Sequence, residues 1–288
     1  MGTKGAMAEP IPTVRQYRLA QSLRELRGEA KMTQEQVAAR MDWHVSKLFR
    51  LENARSPRVN WLDIQGLLDL YGVGSPQREA LIQLAKDAKK RGWWTSYQDV
   101  FTGSFVALED EADLVRYYSS ELVPGLFQTE RYARAVIQSL RPTYEEQSVE
   151  RRVAARLARQ DILNREKPIH LDFILNEAVI RRSVGSSDVM VEQLRALKQT
   201  AEGQAATLRL LPFTSGAHTA MEGAFTIFSF PEEEYPDVVY IEGMMGDLYL
   251  ESVESVARYR EAFSRLEHDS LSPTDTIDAI DTLLREYL

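Results

Sequence analysis

The sequence predicts a multi-domain chain: an all-α N-terminal domain of five short helices, followed by an α+β C-terminal domain. Three observations carry this. The chain has 288 residues, within the range of about 250–300 where single hydrophobic cores stop growing and chains divide. In the first third, apolar side chains recur at helical spacing, interrupted by frequent capping and breaker signals. Later in the chain, runs of Phe, Ile, Val and Tyr stand between Gly, Pro and Asp, as strands do. The resulting divisions are an arm at 1–12, a helical domain at 13–91 and a mixed domain at 92–288.

Each element has its own signal. The arm carries Pro10 and Pro12 and no periodicity. Helices are expected at about 14–30, 33–41, 45–53, 60–71 and 76–91. Thr33 and Gln36 have the spacing of a capping box, and Ser75-Pro76 supplies an N-cap followed by Pro at the first helical position. Gly72 and Gly74 punctuate the fourth and fifth helices. From Gly92-Trp93-Trp94-Thr95-Ser96-Tyr97 the texture changes, with helices expected at about 106–120, 129–140, 144–165 and 187–202. Strands are expected at His170–Leu175, Thr207–Pro212, Ala224–Phe230, Val238–Ile241 and Leu248–Leu250. A helix at about 252–268 follows, and Ser272-Pro273-Thr274-Asp275 caps a last one ending near Leu288.

Composition removes several function classes. Hydrophobic residues at 44% and charged residues at 27% are ordinary for a globular chain. No apolar run approaches the roughly 18 residues of a membrane span, and MGTKGAMAEP lacks the apolar stretch of a signal peptide, so a cytoplasmic protein is expected. The absence of cysteine removes disulfides, thiolate metal sites and cysteine nucleophiles together. His44, His170, His218 and His268 are scattered, and no H-E-x-x-H, phosphate loop, dinucleotide glycine motif or G-x-S-x-G occurs. No enzyme, metal or cofactor is therefore expected, and a site built from Asp, Glu and Ser is the remaining catalytic alternative.

The net charge of −8 hides an asymmetry. Residues 1–91 hold 16 Lys and Arg against 10 Asp and Glu, net +6, which leaves the rest of the chain at net −14. A basic segment on an acidic body suggests that only the first domain meets a polyanion.

Within the basic domain, MTQEQVAARMDWHVSKLFRLEN reads as two short helices joined by a tight turn. Val37, Met41, Leu48 and Leu51 share a core, Trp43 fills the corner and small Ala38 permits close approach. This is helix-turn-helix geometry, in which the second helix enters the DNA major groove. With Leu48 and Leu51 inward, Val45, Ser46, Lys47 and Arg50 project outward. Arg50 can fork onto guanine O6 and N7, Ser46 can donate or accept at a base edge, Val45 can pack on a thymine methyl, and Lys47 can serve a base or a phosphate. Gln34 at a helix start, and Asn53, Arg55 and Arg58 beyond the second helix, are placed for phosphates.

Gln34-Glu35 with Val37-Ala38, then Leu48 and Arg50-Leu51-Glu52-Asn53, closely resembles the helix-turn-helix family of phage-repressor (Cro-like) and xenobiotic-response-element (XRE) regulators. That family's pattern runs T-Q-x-x-L-A through I-x-x-x-E-N, and the resemblance covers about residues 15–75. It implies a structural ion pair between Arg27 and Glu52. Three positions depart from the pattern: Asp42 replaces the turn Gly, His44 replaces the Ser or Thr cap of the recognition helix, so that the phosphate contact often made there is either lost or pH-sensitive, and Ala54 stands where Gly is frequent.

The larger domain offers fewer chemical cues. Val123-Pro124-Gly125-Leu126-Phe127-Gln128-Thr129-Glu130-Arg131-Tyr132-Ala133 is a turn and a Thr-capped helix. With Trp93-Trp94, the run from Arg151 to Gln160, Asn176–Arg182 and Leu211–His218, it resembles actinobacterial, especially streptomycete, regulators that join this helix-turn-helix to an antitoxin-like domain of uncharacterised function. The resemblance implies transcriptional control and a small protein partner encoded nearby. Arg152, Arg156 and Arg159 share one helical face, suited either to internal ion pairs or to gripping nucleic acid or an acidic partner. Trp93, Trp94, Tyr97 and Phe101 suit either packing or a ligand pocket, and Glu177 is a candidate buried carboxylate near a strand end. The expectation is a DNA-binding transcriptional regulator acting on a palindromic operator as a homodimer, with signal or partner sensing in the C-terminal domain. The alternative is an antitoxin-like protein-interaction module.

Overall fold

The computed structural model describes residues 14–287 apart from 57–58, 89–92, 98, 102–104, 167–168, 204–205, 231–236 and 245. The chain forms two compact units, the first ending at Asp110 and the second spanning Glu111–Leu288. The division read from the sequence lies at 91/92.

The first unit contains α1 (Val14–Glu29), α2 (Gln34–Arg40), α3 (Val45–Glu52), α4 (Trp61–Tyr71), α5 (Gln77–Asp87) and α6 (Phe105–Glu111), with a 3-10 turn at Trp93–Tyr97. Short helices need stop signals, and most are present. Thr33 closes a capping box with Gln36 at the start of α2: the Gln36 amide donates to Thr33 Oγ1 and Gln36 Oε1 accepts from the Thr33 amide. Asn60 caps α4 through Leu62, and Gly72 ends it in the left-handed conformation at φ 75°. Pro76, expected at the first helical position of the fifth helix, instead occupies the cap, and Ser75 Oγ donates to Glu79 Oε1. The core joins Leu19, Leu23 and Leu26 of α1 to Val37, Leu48, Leu51, Ile64, Leu67 and Leu68, with Met41 and Trp43 half-buried at its edge. Asp42 and Ala54 both hold left-handed φ, 54° and 53°. Asp tolerates this better than most residues because its short polar side chain bonds locally.

The second unit is built on a six-stranded sheet. In chain order it contains β1 (Leu114–Ser119), α7 (Glu130–Leu140), α8 (Glu146–Arg159), β2 (His170–Asn176), α9 (Glu177–Arg181), α10 (Ser187–Glu202), β3 (Thr207–Leu211), β4 (Phe225–Ser229), β5 (Val238–Ile241), β6 (Leu248–Leu250), α11 (Val253–Asp269) and α12 (Pro273–Glu286). The sheet order is β3-β2-β1-β4-β5-β6, parallel over the first three strands and antiparallel beyond. Helical crossovers through α7–α8 and α9–α10 supply the long connections that parallel neighbours need. Val256, Phe263 and Leu266 of α11 cover the face carrying Tyr118, Ile174, Ile227 and Val239. Opposite in sense along β1, Tyr117 stacks on Phe173, which meets Phe127 edge-on.

The fold class is the α+β, multi-domain one that the sequence predicts. One element differs. The helix expected at about 106–120 ends at Glu111, and Leu114–Ser119 is a central strand paired with β2 and β4. A central strand covered on both faces shows an apolar run instead of alternation, so periodicity alone does not separate it from the helix before it. The short α9 also lies outside the expected elements.

Candidate nucleic-acid interface

The pair α2–α3 is fixed by a polar network at its back. Glu52, fully buried at the end of α3, accepts from Arg27 Nε at 2.7 Å, from the second Arg27 nitrogen at 3.1 Å and from Gln34 Nε2 at 2.6 Å. Arg27 also donates to the Met32 carbonyl, so one guanidinium ties α1 to α3 and to the start of α2. The hydrogen bond to Glu52 holds the Arg27 guanidinium above its usual pKa, against the opposing effect of burial. Gln34 therefore spends its side-chain amide on Glu52, away from the phosphate role read for it.

The same network sets which way α3 faces. Leu48 and Leu51 point into the core together with Glu52, while Ser46, Phe49, Arg50 and Asn53 are exposed and Val45 is half-buried. Lys47 is turned aside: its Nζ lies 2.8 Å from Asp63 Oδ2 on α4 and 3.8 Å from the centroid of Trp43. His44 is the N-cap, its Nδ1 accepting from the Ser46 amide at 3.3 Å and lying 2.8 Å from Ser46 Oγ. Asn53 Nδ2 donates to the Phe49 carbonyl at 2.7 Å, closing the other end of α3. The Arg55 guanidinium stands 6.0 Å from the Phe49 ring centroid. Arg58 lies outside the described residues. The structure thus brings Val45, Ser46, Arg50 and the exposed ring of Phe49 onto one face, and commits Lys47 and Gln34 to intramolecular partners. Phe49 and Asp63 are the two residues that the sequence reading passed over. The signal for Phe49 is present, because a helix that buries Leu48 and Leu51 must turn residue 49 outward.

The remaining candidates fall elsewhere. Trp93, Trp94, Tyr97 and Phe101 belong to the first unit, where Trp93 meets the other three rings edge-on and its Nε1 donates to Asp110 at 3.2 Å. In the second unit, Arg152 stacks on Tyr144 at 4.3 Å and bonds its hydroxyl, while Arg156 donates to Gln128 Oε1 at 2.8 Å. Arg152 also donates to Ser148 Oγ at 3.4 Å, so among the described residues these two guanidiniums bond a phenol, a hydroxyl and an amide, where internal ion pairs are the expectation. Burial, then the Arg159 charge, lower Arg156 to about 10. Arg159 and Arg156 crowd Gly125, where an added Cβ would stand 3.2 Å and 3.5 Å from their terminal nitrogens.

Glu177 finds one partner across the fold and one in its own helix. Its Oε2 accepts from the Phe213 amide at 2.8 Å and its Oε1 from Arg181 at 2.5 Å. Burial works against the charge, but these two donors outweigh it and hold the carboxyl below its usual pKa. A depressed pKa contributes stability above the unfolded-state pKa that is lost as pH falls through the folded one. Glu177→Gln is therefore expected to cost about 1 kcal/mol at neutral pH, the difference between charged and neutral acceptors. Urea titrations at decreasing pH should show that gap closing; a gap of unchanged size at acid pH would remove the carboxylate from the account.

His218 and His268, distant in sequence, share an open groove of about 740 Å³ with Thr219, Arg265 and Asp269. Burial lowers the His218 pKa, favouring the neutral ring. Among the described residues no cluster of three or more His, Asp or Glu could hold a metal, and no helix is long and apolar enough to cross a membrane.

A helix-turn-helix domain model matches residues 18–81, and a model of a domain of unknown function, DUF5753, matches residues 102–282. No curated protein and no solved structure matches the chain. The DUF5753 match covers more than half of the sequence, and the chain belongs to that family, with a helix-turn-helix domain preceding the family's own domain.

Proposed function

We propose that this protein is a sequence-specific DNA-binding transcriptional regulator of the XRE/Cro-like kind, as its resemblance to actinobacterial regulators suggests, and not an enzyme. The observation that carries the reading is the exposed outer face of α3, with Arg50 and Ser46 presented to solvent while Leu48, Leu51 and the Arg27–Glu52–Gln34 network hold the helix from behind. Arg50 reads guanine and Ser46 a neighbouring base edge. Lys47 contributes only after leaving Asp63, which ranks it below Arg50. His44, at the positive N-terminus of α3, and Asn53 and Arg55, at and beyond its C-terminus, flank the helix as phosphate contacts.

One recognition helix covers few base pairs, so useful specificity needs two copies on half-sites about 34 Å apart. The second unit supplies that pairing and receives the signal or partner. Its acidic balance, net −11 over residues 111–288, keeps it off the DNA and favours the second reading as well: an antitoxin-like module that holds a small basic protein. Footprinting of the full chain on its own upstream DNA across a salt series tests the first reading. A protected palindrome is expected, with affinity falling by about 0.9 log unit per log unit of salt for each phosphate neutralised. Absence of protection on any duplex at low ionic strength would sink it.

A further inference from the structure

We infer that Phe49 is a specificity-determining residue that packs on the 5-methyl group of a thymine in each half-site, a claim that rests on the DNA-binding reading above. Phe49 is 44% exposed, and it is absent from the side chains that pack against the first unit's core. Val45, one turn earlier, is absent from that core too. The two lie at i and i+4, so α3 carries a short apolar strip on its outward face alongside the parallel polar row of Ser46 and Arg50. A single exposed apolar side chain is ordinary, but an apolar patch rimmed by polar residues marks an interaction site, and Val45 with Phe49 makes such a patch beside Ser46 and Arg50.

The chemistry of the groove selects the occupant. The base edges in the major groove present hydrogen-bond donors and acceptors, and the one alkyl group among them is the thymine methyl. An aromatic ring has no use for a donor or acceptor, but it covers a methyl. The Asn53 side chain clamps the Phe49 carbonyl, and Arg55 stands 6.0 Å from the ring centroid, so the residue is held at the end of α3 next to a cation suited to the adjacent phosphate. Lys47, the other long side chain of the helix, is drawn to Asp63 and leaves this face to Phe49 and Arg50.

The test uses full-length protein and random-duplex selection, followed by titration of the selected duplex with uracil replacing each thymine in turn. Uracil lacks only the methyl. At one position per half-site the substitution should weaken wild-type binding about fourfold, the equivalent of about 0.8 kcal/mol for one buried methyl. Phe49→Ala should bind less tightly, lose the thymine preference at that position and show no response to uracil there. Phe49→Leu should retain part of it. Phe49 is exposed, so both variants should melt with the wild type. A Phe49→Ala protein with the wild-type consensus and the wild-type uracil response overturns the proposal, as does wild-type binding indifferent to uracil at every position. A Phe49→Ala protein that fails to self-associate while thymine goes unread overturns it in favour of a contact between two copies. Failure of the wild type to bind any duplex is a different result, and it removes the DNA-binding reading itself.

Discussion

Glu52→Ala is expected to destabilise the first unit by about 3 kcal/mol, the low end of the range for breaking a buried ion pair by removing one partner. The low end applies because the Arg27 side chain is 21% exposed and can recover some hydration, whereas Glu52 is fully buried. The loss has three parts: the Arg27 fork, the Gln34 amide that bonds the same carboxylate, and the volume vacated behind Leu51. Glu52→Gln keeps the volume and one acceptor, and should lose about half as much. Urea unfolding followed by far-ultraviolet circular dichroism should show an earlier transition for the helical unit and an unmoved one for the sheet-containing unit. A cost below about 1 kcal/mol for Glu52→Ala would mean that the network does not hold α3 in place.

Arg50→Ala should lower affinity for the selected operator about 5- to 150-fold, as loss of a bidentate guanine contact of about 1–3 kcal/mol requires, and relax specificity at one position of each half-site. Its melting temperature should match the wild type, because Arg50 is exposed. Lys47→Ala should cost less affinity, since Lys47 must first leave Asp63 and Trp43. Asp63→Asn should move affinity upward by releasing Lys47 and removing a carboxylate beside the groove. Operator titrations of these three variants at one salt concentration rank the contributions. Equal losses for Arg50→Ala and Lys47→Ala, or no gain for Asp63→Asn, would overturn the order. If a double Arg50→Ala, Lys47→Ala protein keeps its cellular role, the antitoxin-like reading takes precedence.

Local pattern made much of the fold legible. The helices of the first unit follow from the spacing of Val37, Leu48 and Leu51 and from Thr33 capping with Gln36, interactions that span only a few residues. Strands β2 to β6 stand between strong turn signals, and Val238–Ile241 and Leu248–Leu250 have the bounds that their composition implies. Strand β1 escaped because no Gly or Pro separates it from α6, and its two covered faces erase the alternation that would mark it. The Ser272-Pro273 cap of α12 follows the expected pattern, whereas Ser75-Pro76 shifts by one residue because Pro76 itself takes the cap.

The outward face of α3 and the neighbourhood of Arg27 and Glu52 could be set down from sequence alone, the first from helical geometry and the second from a motif whose spacing is specific. What long side chains touch could not. Lys47 has ample reach, and only the packing of α4 beside α3 puts Asp63 within 2.8 Å of it. The distant partner of Glu177 is a backbone amide 36 residues away, brought near by the parallel pairing of β2 with β3. Arg152 bonds the Tyr144 and Ser148 hydroxyls and Arg156 the Gln128 amide because α8 runs past Tyr144 and Gln128, though the acidic composition of the domain would favour carboxylates. Short-range periodicity determines which side of an element is wet, since the backbone repeat sets it. The partners of charged and polar groups are decided only when distant elements pack, because each such group has many chemically adequate partners and the fold admits one.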